Sequence, residues 1–207
     1  MDNTVGNPST NFCNFPQSQE DFYILGLWCA DGYHRTSSIG LTNIDRDLIT
    51  RFRKFLLKIF PKERLKLDMY TDGKRKHTGY KLYVNCRPLL RIFKTFRDAT
   101  ERKLTDTENI KAYFAGRFDG DGCISRDLKK DCRISYGNIL DAKLDYELLL
   151  QIGMKNSKLY RYRTSNTYVN YISRMDTKVF VEAIIKYSNK LQKLVLGSRR
   201  DLAYTAL

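Results

Sequence analysis

Cysteine is too scattered in this sequence to build a metal site or a disulfide framework. The 207 residues include five cysteines, and no two of them form a C-x-x-C pair. We therefore expect neither a cysteine-based zinc site nor a small disulfide-stabilised secreted fold. The same pattern indicates a reducing compartment inside a cell, either an organelle or a prokaryotic cytoplasm.

Long apolar runs are also missing. A membrane-spanning helix needs about 20 consecutive apolar residues, and no stretch of this chain reaches that length. Residues 1–20 are polar and carry no basic-then-apolar targeting signal, so we interpret them as a flexible leader. We expect no membrane partner.

Acidic residues are in the minority. The chain has 23 aspartates and glutamates against 37 lysines and arginines, which gives a formal net charge of +14. An excess of this size favours a polyanionic partner such as nucleic acid. Hydrophobic residues make up 42% of the chain, enough for a core, and the length fits one large domain or two fused small ones.

One short phrase occurs twice in the sequence. The first copy, ILGLWCADG, covers residues 24–32, and the second, FAGRFDGDG, covers residues 114–122. Each is an apolar run that ends in Asp-Gly, and 90 residues separate Asp31 from Asp121. A unit repeated at almost half the chain length predicts a two-fold site to which each half contributes one carboxylate.

Each copy is apolar nearly all round, which predicts a buried helix. Small residues lie four apart on both helices and form a flat stripe, namely Gly26 and Ala30 in the first copy and Gly116 and Gly120 in the second. Such stripes allow backbone-to-backbone contact between two helices. We therefore expect the two motif helices to pack directly on each other.

Gly32 and Gly122 follow the two acids and predict helix ends, because glycine tolerates the left-handed conformation found there. Asp31 and Asp121 would then lie at helix C-termini, where the dipole is negative and the last carbonyl groups are unpaired. This arrangement is poor for stability, but it suits a hard divalent cation that prefers oxygen ligands. Two such sites side by side would meet the needs of two-metal phosphodiester chemistry.

Hydrophobic periodicity predicts the order α-β-β-α-β-β-α in each half. In the first half, helices are predicted over 21–31, 45–60 and 88–103, and strands within 33–43, 65–70 and 80–85. In the second half, helices are predicted over 109–121, 141–152 and 176–196, and strands within 123–138, 158–164 and 167–174. We expect an α+β protein with one repeat at 21–104 and another at 105–207, the second motif helix being capped by Thr105 or Asp106.

The two phrases resemble the paired motifs of the LAGLIDADG homing endonucleases, in the single-chain form that carries both copies. The resemblance is close in the motifs and looser in the order of elements. Cys29 stands where the family often has an acid, which Asp119 keeps, and Arg117 stands where an aliphatic residue is usual. The resemblance implies two pseudo-symmetric αββαββα repeats, with a saddle of antiparallel sheets and two packed central motif helices.

The resemblance also implies a function. It is that of an intron-encoded nuclease that binds a long, near-asymmetric double-stranded DNA site as a monomer and hydrolyses both strands. Two or three divalent ions are implied, with Mg²⁺ as the cofactor and with Mn²⁺ or Ca²⁺ able to replace it for binding. Asp31 and Asp121 would hold the metal, and the carbonyl groups of Ala30 and Gly120 would complete its coordination.

Further catalytic residues are implied by the resemblance alone. The family pattern places a polar residue after the second strand of each repeat, a position that Asn43 and Asn138 match. It also places a lysine near the last helix of each repeat, for which Lys103 and Lys190 are the candidates. Both lysines can equally be read as ordinary helix-end lysines that stabilise the dipole.

Basic and aromatic residues at alternate strand positions predict a nucleic-acid-binding sheet face. Candidate contacts in the first half are Arg35, Lys66, Tyr70, Lys81, Tyr83 and Asn85, and in the second half Arg133, Arg161 and Arg163. The basic turns would contact phosphates through Lys74, Arg75, Lys76, Lys129 and Lys130. A solvated sheet face is the alternative interpretation of each single charge.

Two other functional classes remain open. The family's architecture also serves intron splicing, so an RNA-binding maturase is the main alternative. A regulator that binds nucleic acid without cutting it is the second. The presence of both acids favours the nuclease over the maturase, and the regulator would be favoured by an added helix-turn-helix domain, for which we find no room in the sequence.

Overall fold

A computed structural model describes residues 15–71, 78–99, 104–124 and 131–204, with the backbone alone for 197–204. The elements of the first half are α1 (Gln19–Asp31), β1 (Gly32–Arg35), β2 (Ser38–Asn43), α2 (Arg46–Leu57), β3 (Lys66–Thr71), β4 (Thr78–Asn85) and α3 (Arg87–Asp98). Those of the second half are α4 (Thr107–Asp121), β5 (Gly122–Ile124), β6 (Cys132–Tyr136), α5 (Ile139–Gln151), β7 (Lys158–Arg161), β8 (Tyr168–Ile172), α6 (Arg174–Ile184) and α7 (Asn189–Tyr204).

The predicted α+β class is confirmed, and so is the order α-β-β-α-β-β-α in each half. The predicted last helical region, 176–196, is wrong in one respect because it divides into α6 and α7. The chain turns between these helices at residues 185–188, and the hydroxyl of Ser188 accepts a hydrogen bond from the N–H of Leu191 at 3.1 Å. Ser188 thereby begins a new helix.

Each half builds its own antiparallel sheet of four strands. The strand order is β1-β2-β4-β3 in the first sheet and β5-β6-β8-β7 in the second, so corresponding strands occupy corresponding places. Because side chains alternate across a strand, one face of each sheet carries the apolar residues. Leu41 pairs with Leu82 on this face of the first sheet, and both are buried against the helices. None of the described helices is long and apolar enough to cross a membrane.

The motif helices α1 and α4 form the centre of the molecule and the most extensive helix–helix contact among the described residues. Glycine makes this contact possible. A Cβ added to Gly26 would lie 2.0 Å from the carbonyl oxygen of Tyr113, and one added to Gly116 would lie 2.0 Å from that of Tyr23. The two backbones therefore touch, as the stripe of small residues predicts.

Hydrogen-bonding side chains start the principal helices. Ser18 forms a capping box with Asp21 at the start of α1, which places the helix start two residues earlier than predicted. Asp106 accepts a hydrogen bond from the N–H of Asn109 at 2.8 Å, as expected for the cap of α4. Both motif helices thus have a fixed beginning.

The predicted reason for the glycines at the helix ends is wrong. Gly32 and Gly122 do end α1 and α4, but both have extended backbones, with φ of −61° and −81°. Each helix passes directly into a strand, and the backbone folds closely over the last helical turn. A Cβ on Gly32 would lie 2.2 Å from the carbonyl oxygen of Trp28, and one on Gly122 would lie 2.2 Å from the ring of Phe118. Close approach, rather than a left-handed conformation, requires glycine here.

Candidate metal centre and nucleic-acid face

The two acids of the repeated phrase meet where α1 and α4 end together. A Cβ added to Gly120 would lie 2.4 Å from the Cβ of Ala30 and 2.7 Å from Oδ2 of Asp31. Burial, and after it the nearby charge of Asp121, raise the pKa of Asp31 from 3.8 to about 6. Burial also raises the pKa of Asp121. The fold has placed two desolvated carboxylates side by side.

Asn43 is the hydrogen-bonding partner of Asp31. It is the last residue of β2, and its Nδ2 donates to Oδ2 of Asp31 at 2.8 Å. Its Oδ1 accepts from the N–H of Asp45 at 2.7 Å, which fixes the amide plane. The bond favours the charged carboxylate and lowers the pKa of Asp31, although burial outweighs it.

Asn138 does not occupy the equivalent place, and the predicted pairing of Asn43 with Asn138 is wrong. Gly32 pairs with Leu41, whereas Gly122 pairs with Ile134. Counting two residues onward along β2 and β6, the counterpart of Asn43 is Tyr136, and Asn138 is the counterpart of Asp45. Asp45 and Asn138 both cap helices, and Asn138 forms hydrogen bonds with Asp141.

Arg117 lies beside Asp121 in the second half. It is fully buried, its Nε donates to Oδ2 of Asp145 at 3.1 Å, and its Nη1 lies 4.0 Å from Oδ2 of Asp121. Tyr113 also donates to Asp145, at 2.9 Å. The guanidinium lies over the ring of Tyr136, 4.5 Å from its centroid. A buried cation thus adjoins only one of the two acids of the motif at ion-pair distance among the described residues.

Lys190 lies at the end of α4. Its Nζ donates to the carbonyl oxygen of Gly122 at 2.8 Å and to that of Phe118 at 3.1 Å. Burial lowers the pKa of Lys190, while its charge lowers the pKa of both Asp31 and Asp121. The lysine therefore belongs to the candidate centre and also satisfies terminal carbonyl groups of α4. Lys103 falls outside the described residues.

Asp119 fixes the position of Lys190. Its carboxylate accepts hydrogen bonds from the N–H groups of Asn189 at 2.7 Å and Lys190 at 3.1 Å, and from the hydroxyl groups of Ser188 and Tyr23. An anion at the N-terminus of α7 is stabilised by the helix dipole. The acid that the family motif keeps in the second copy thus anchors α7 against α4.

The donor set fits a hard divalent cation. Burial opposes the charged forms of both Asp31 and Asp121, and the charge of Asp121 also opposes that of Asp31. A divalent cation would relieve both effects. Among the described residues, no group of three or more histidine, cysteine, aspartate or glutamate side chains could hold a metal. A bound cation would therefore depend on the two carboxylates together with main-chain, substrate or water oxygens.

The first sheet has one face turned away from the helices. By strand register this open face carries every first-half contact predicted within the described residues, namely Arg35, Lys66, Tyr70, Lys81, Tyr83 and Asn85. The Nζ of Lys81 lies 3.2 Å from Oδ2 of Asp68, so part of the positive charge on this face is compensated. Residues 74–76 fall outside the described residues.

The open face of the second sheet also combines basic and aromatic residues. Arg133, Tyr160 and Tyr171 share it by register, and they line a cavity of about 390 Å³. By strand register Arg161 belongs to the opposite side, but its side chain is exposed and lines the same cavity, and it donates to Asn166 at 3.0 Å. Its contact with DNA stays a prediction. Arg163 lies in the bend between β7 and β8. Residues 129 and 130 fall outside the described residues.

Comparison with known proteins identifies the fold. Residues 18–96 match the family model of the LAGLIDADG-like domain. This part of the chain is therefore similar to a LAGLIDADG-like domain. The resemblance inferred from the repeated phrase is thereby confirmed. The search of curated proteins found no match to the chain.

Solved structures share the LAGLIDADG fold over most of the chain. The homing endonuclease I-DmoI is 20% identical, with a TM-score of 0.59 over 81% of this chain and 96% of that one. I-WcaI, a homing endonuclease bound to its DNA recognition sequence, is 14% identical, with a TM-score of 0.57 over 90% of this chain and 96% of that one. Full-length DUF199/WhiA from Thermatoga maritima is 16% identical, with a TM-score of 0.60 over 96% of this chain and 70% of that one.

Two features of this LAGLIDADG fold were missed by sequence reasoning. The partnership of Arg117 with Asp145 was not predicted, although an arginine inside an apolar motif helix signals a buried acid elsewhere. The role of Asp119 in anchoring α7 was also missed, because its partners lie about seventy residues later in the chain. The partners of Arg117 and Asp119 can be identified only once the packing of α4 against α5 and α7 is known.

Proposed function

We propose that this protein is a site-specific homing endonuclease that binds double-stranded DNA and hydrolyses both strands with Mg²⁺. The observation that carries the proposal is the meeting of Asp31 and Asp121 at the adjacent ends of α1 and α4. Two buried carboxylates with raised pKa values, in a chain of net charge +14, favour a cation and a polyanion at the same place.

Structures that share the fold support the proposal by what they contain. I-DmoI has been solved in complex with DNA and Mn, with a TM-score of 0.58 over 86% of this chain and 97% of that one, at 19% identity. A complex of I-DmoI with DNA and Ca also shares the fold. These partners are the ones that the two carboxylates and the basic sheet faces favour in this chain.

Each residue of the centre has a distinct task in the proposed reaction. Asp31 and Asp121 would hold the metal, together with main-chain carbonyl groups such as those of Ala30 and Gly120. When bound, a divalent ion lowers the pKa of water and stabilises charge on the leaving 3′ oxygen. Asn43 orients Asp31 through its 2.8 Å hydrogen bond. Lys190 adds a cation that favours the anionic phosphate.

The open faces of the two sheets supply DNA binding in this proposal. Lys66, Arg35 and Arg133 are exposed there, where basic side chains can contact phosphates or base edges. We also propose that residues 21–104 and 105–207 are two repeats of one unit and that the chain therefore acts as a monomer. The two halves then bind the two halves of one near-asymmetric site.

The proposal is tested by cleavage selection on a library of randomised DNA duplexes, with Mg²⁺, with Ca²⁺ and with EDTA. The wild type is compared with Asp31→Asn and Asp121→Asn. A matched control is Asp98→Asn, which removes an exposed acid of α3 that pairs with its neighbour Arg97 at 3.0 Å. We expect Mg²⁺-dependent double-strand cuts at one long site by the wild type and the control, and none by the two acid variants.

Other outcomes of the selection exclude the proposal. No cutting by the wild type, together with tight binding to a structured intron RNA, assigns the protein to the maturases. Tight duplex binding without cutting in any metal assigns it to proteins that only bind DNA. Cutting that persists in both acid variants removes Asp31 and Asp121 from the reaction.

A further inference from the structure

The two acids of the centre have different surroundings although they occupy equivalent places. The register that pairs Gly32 with Leu41 and Gly122 with Ile134 relates the two halves residue by residue. It makes Tyr136 the counterpart of Asn43. Asp31 therefore has a neutral amide beside it, whereas the place of that amide near Asp121 is taken by an aromatic ring.

Two further counterparts differ in charge. Arg117 stands five residues before Gly122, as Leu27 stands five residues before Gly32. Asp145 stands seven residues after the cap of α5, as Phe52 stands seven residues after the cap of α2. All four side chains are buried. An apolar pair in the first half is thus replaced by an ion pair in the second.

The ion pair fixes the arginine. Arg117 donates to Asp145 at 3.1 Å, and Tyr113 donates to the other carboxylate oxygen of Asp145 at 2.9 Å. The guanidinium also lies over the ring of Tyr136. Buried and held on several sides, Arg117 has little freedom to move away from the centre.

The held arginine reaches Asp121. Its Nη1 lies 4.0 Å from Oδ2 of Asp121, one helical turn later in α4, and the arginine is 2% exposed. A fixed cation at this distance stabilises the carboxylate and restricts its rotation. It also competes with any other cation for the same oxygen. Among the described residues no cation is recorded at ion-pair distance from Asp31, whose pKa the charges of Lys190 and Arg117 lower from farther away.

We infer that Arg117, anchored by Asp145, is a positioning residue that orients Asp121 and makes its half of the centre the weaker one for divalent cations. The inference rests on the proposed function. In each strand, water adds to phosphorus, the P–O3′ bond breaks and the 3′ oxygen gains a proton. The strand served by Asp121 should need more Mg²⁺ for this step than the strand served by Asp31.

The test uses the selected duplex with a different label on each strand, and measures the Mg²⁺ concentration at which each strand is half-maximally cut. Changes beside a ligand shift metal affinity by about tenfold or more, so we expect midpoints that differ by about tenfold in the wild type. Calorimetric titration of Ca²⁺ into the uncut protein–duplex complex gives a second readout. It should show two classes of site with unequal affinity.

A pair of variants separates positioning from structure. Arg117→Leu combined with Asp145→Phe installs the first half's own apolar pair in the second half, and should bring the two midpoints together. Asp145→Asn instead loosens the anchor, frees Arg117 to pair more closely with Asp121, and should widen the gap. Lys178→Ala, on the exposed face of α6, is the control and should change neither midpoint.

The outcomes of these experiments separate a failure of the inference from a failure of the proposed function. Equal strand midpoints in the wild type, or a single class of Ca²⁺ site, overturn the inference whether or not any variant folds. A gap that both variants leave unchanged, with circular dichroism showing folded protein, overturns it too. No cutting of either strand by the wild type overturns the proposed function and the inference with it. Cutting with an unchanged gap overturns the inference alone.

Discussion

Asn43 donates from Nδ2 to Oδ2 of Asp31 at 2.8 Å, which joins the end of the first strand pair to the end of the first motif helix. The same side chain accepts from the N–H of Asp45, the cap of α2. One amide thus orients the acid and supports the start of the next helix. Its counterpart in the second half is a tyrosine, so the two acids differ in their immediate partners.

The raised pKa of Asp31 predicts a stability that falls with pH. Between its ordinary value of 3.8 and its value of about 6 in the fold, the folded protein binds more protons than the unfolded chain. Stability contributed by the protonated form is therefore present below pH 3.8 and is lost as the pH rises toward 6. Asp31→Asn should remove this loss and stabilise the metal-free protein at pH 7 by up to about 3 kcal/mol.

Urea unfolding of the wild type and Asp31→Asn at pH 4, 5, 6 and 7 checks this prediction. The two proteins should differ most at pH 7 and least at pH 4. The control is Asp98→Asn, whose side chain is 62% exposed and which should follow the wild type at every pH. A difference between wild type and Asp31→Asn that shrinks as the pH rises would contradict the assignment.

Because the motif helices touch, adding one methyl group between them should greatly lower the free energy of unfolding. In Gly116→Ala the new Cβ would lie 2.0 Å from the carbonyl oxygen of Tyr23, so α1 and α4 must separate. We expect a loss of about 3 kcal/mol or more in the free energy of unfolding. Gly137→Ala is the matched control, because nothing lies within 4 Å of a Cβ there. Equal melting temperatures for the two variants would mean that the helices do not touch.

The anchoring of α7 predicts a second large effect. Asp119→Ala removes the acceptor for the N–H groups of Asn189 and Lys190 and for the hydroxyl of Tyr23. Loss of a buried charged acceptor and of a helix anchor should cost about 3 kcal/mol. Hydrogen exchange should report faster opening of residues 189–196 than in the wild type. Protection that stays unchanged in α7 would exclude the anchoring role.

The open faces predict how DNA binding depends on salt. Lys66→Ala and Arg133→Ala should each weaken duplex binding and reduce the slope of log K against log salt by about 1 if the side chain contacts a phosphate. Lys178→Ala removes an exposed lysine of α6 and should leave the slope unchanged. Fluorescence anisotropy measures these slopes when binding is titrated at KCl concentrations from about 50 to about 300 mM. Equal slopes for all four proteins would exclude the open faces as the binding surface.

Local sequence patterns predicted much of the molecule. The repeated phrase placed both helix ends and both acids correctly, since apolar periodicity and glycine act over a few residues. Strand alternation placed Lys66, Lys81 and Tyr83 on one face. The match of Asn43 with Asn138 failed because more residues separate β5 from β6 than separate β1 from β2. Only the register of the strand pairs shows which residue corresponds to Asn43.

Partnerships across the chain could not be predicted in this way. Arg117 and Asp145 are 28 residues apart, and Asp119 is 70 residues from Asn189. No local pattern selects one acid or one helix start among many. Packing of α4 against its neighbours decides both pairs, and it makes the two halves of the centre chemically different.

The central claim is that Asp31 and Asp121 together form one divalent-metal centre on DNA. Anomalous diffraction from a crystal of the protein with its selected duplex and Mn²⁺ tests this claim most directly. The account predicts anomalous peaks that lie against the carboxylate oxygens of both acids and against a phosphate of the duplex. Peaks remote from both acids, or none at full duplex occupancy, would contradict it.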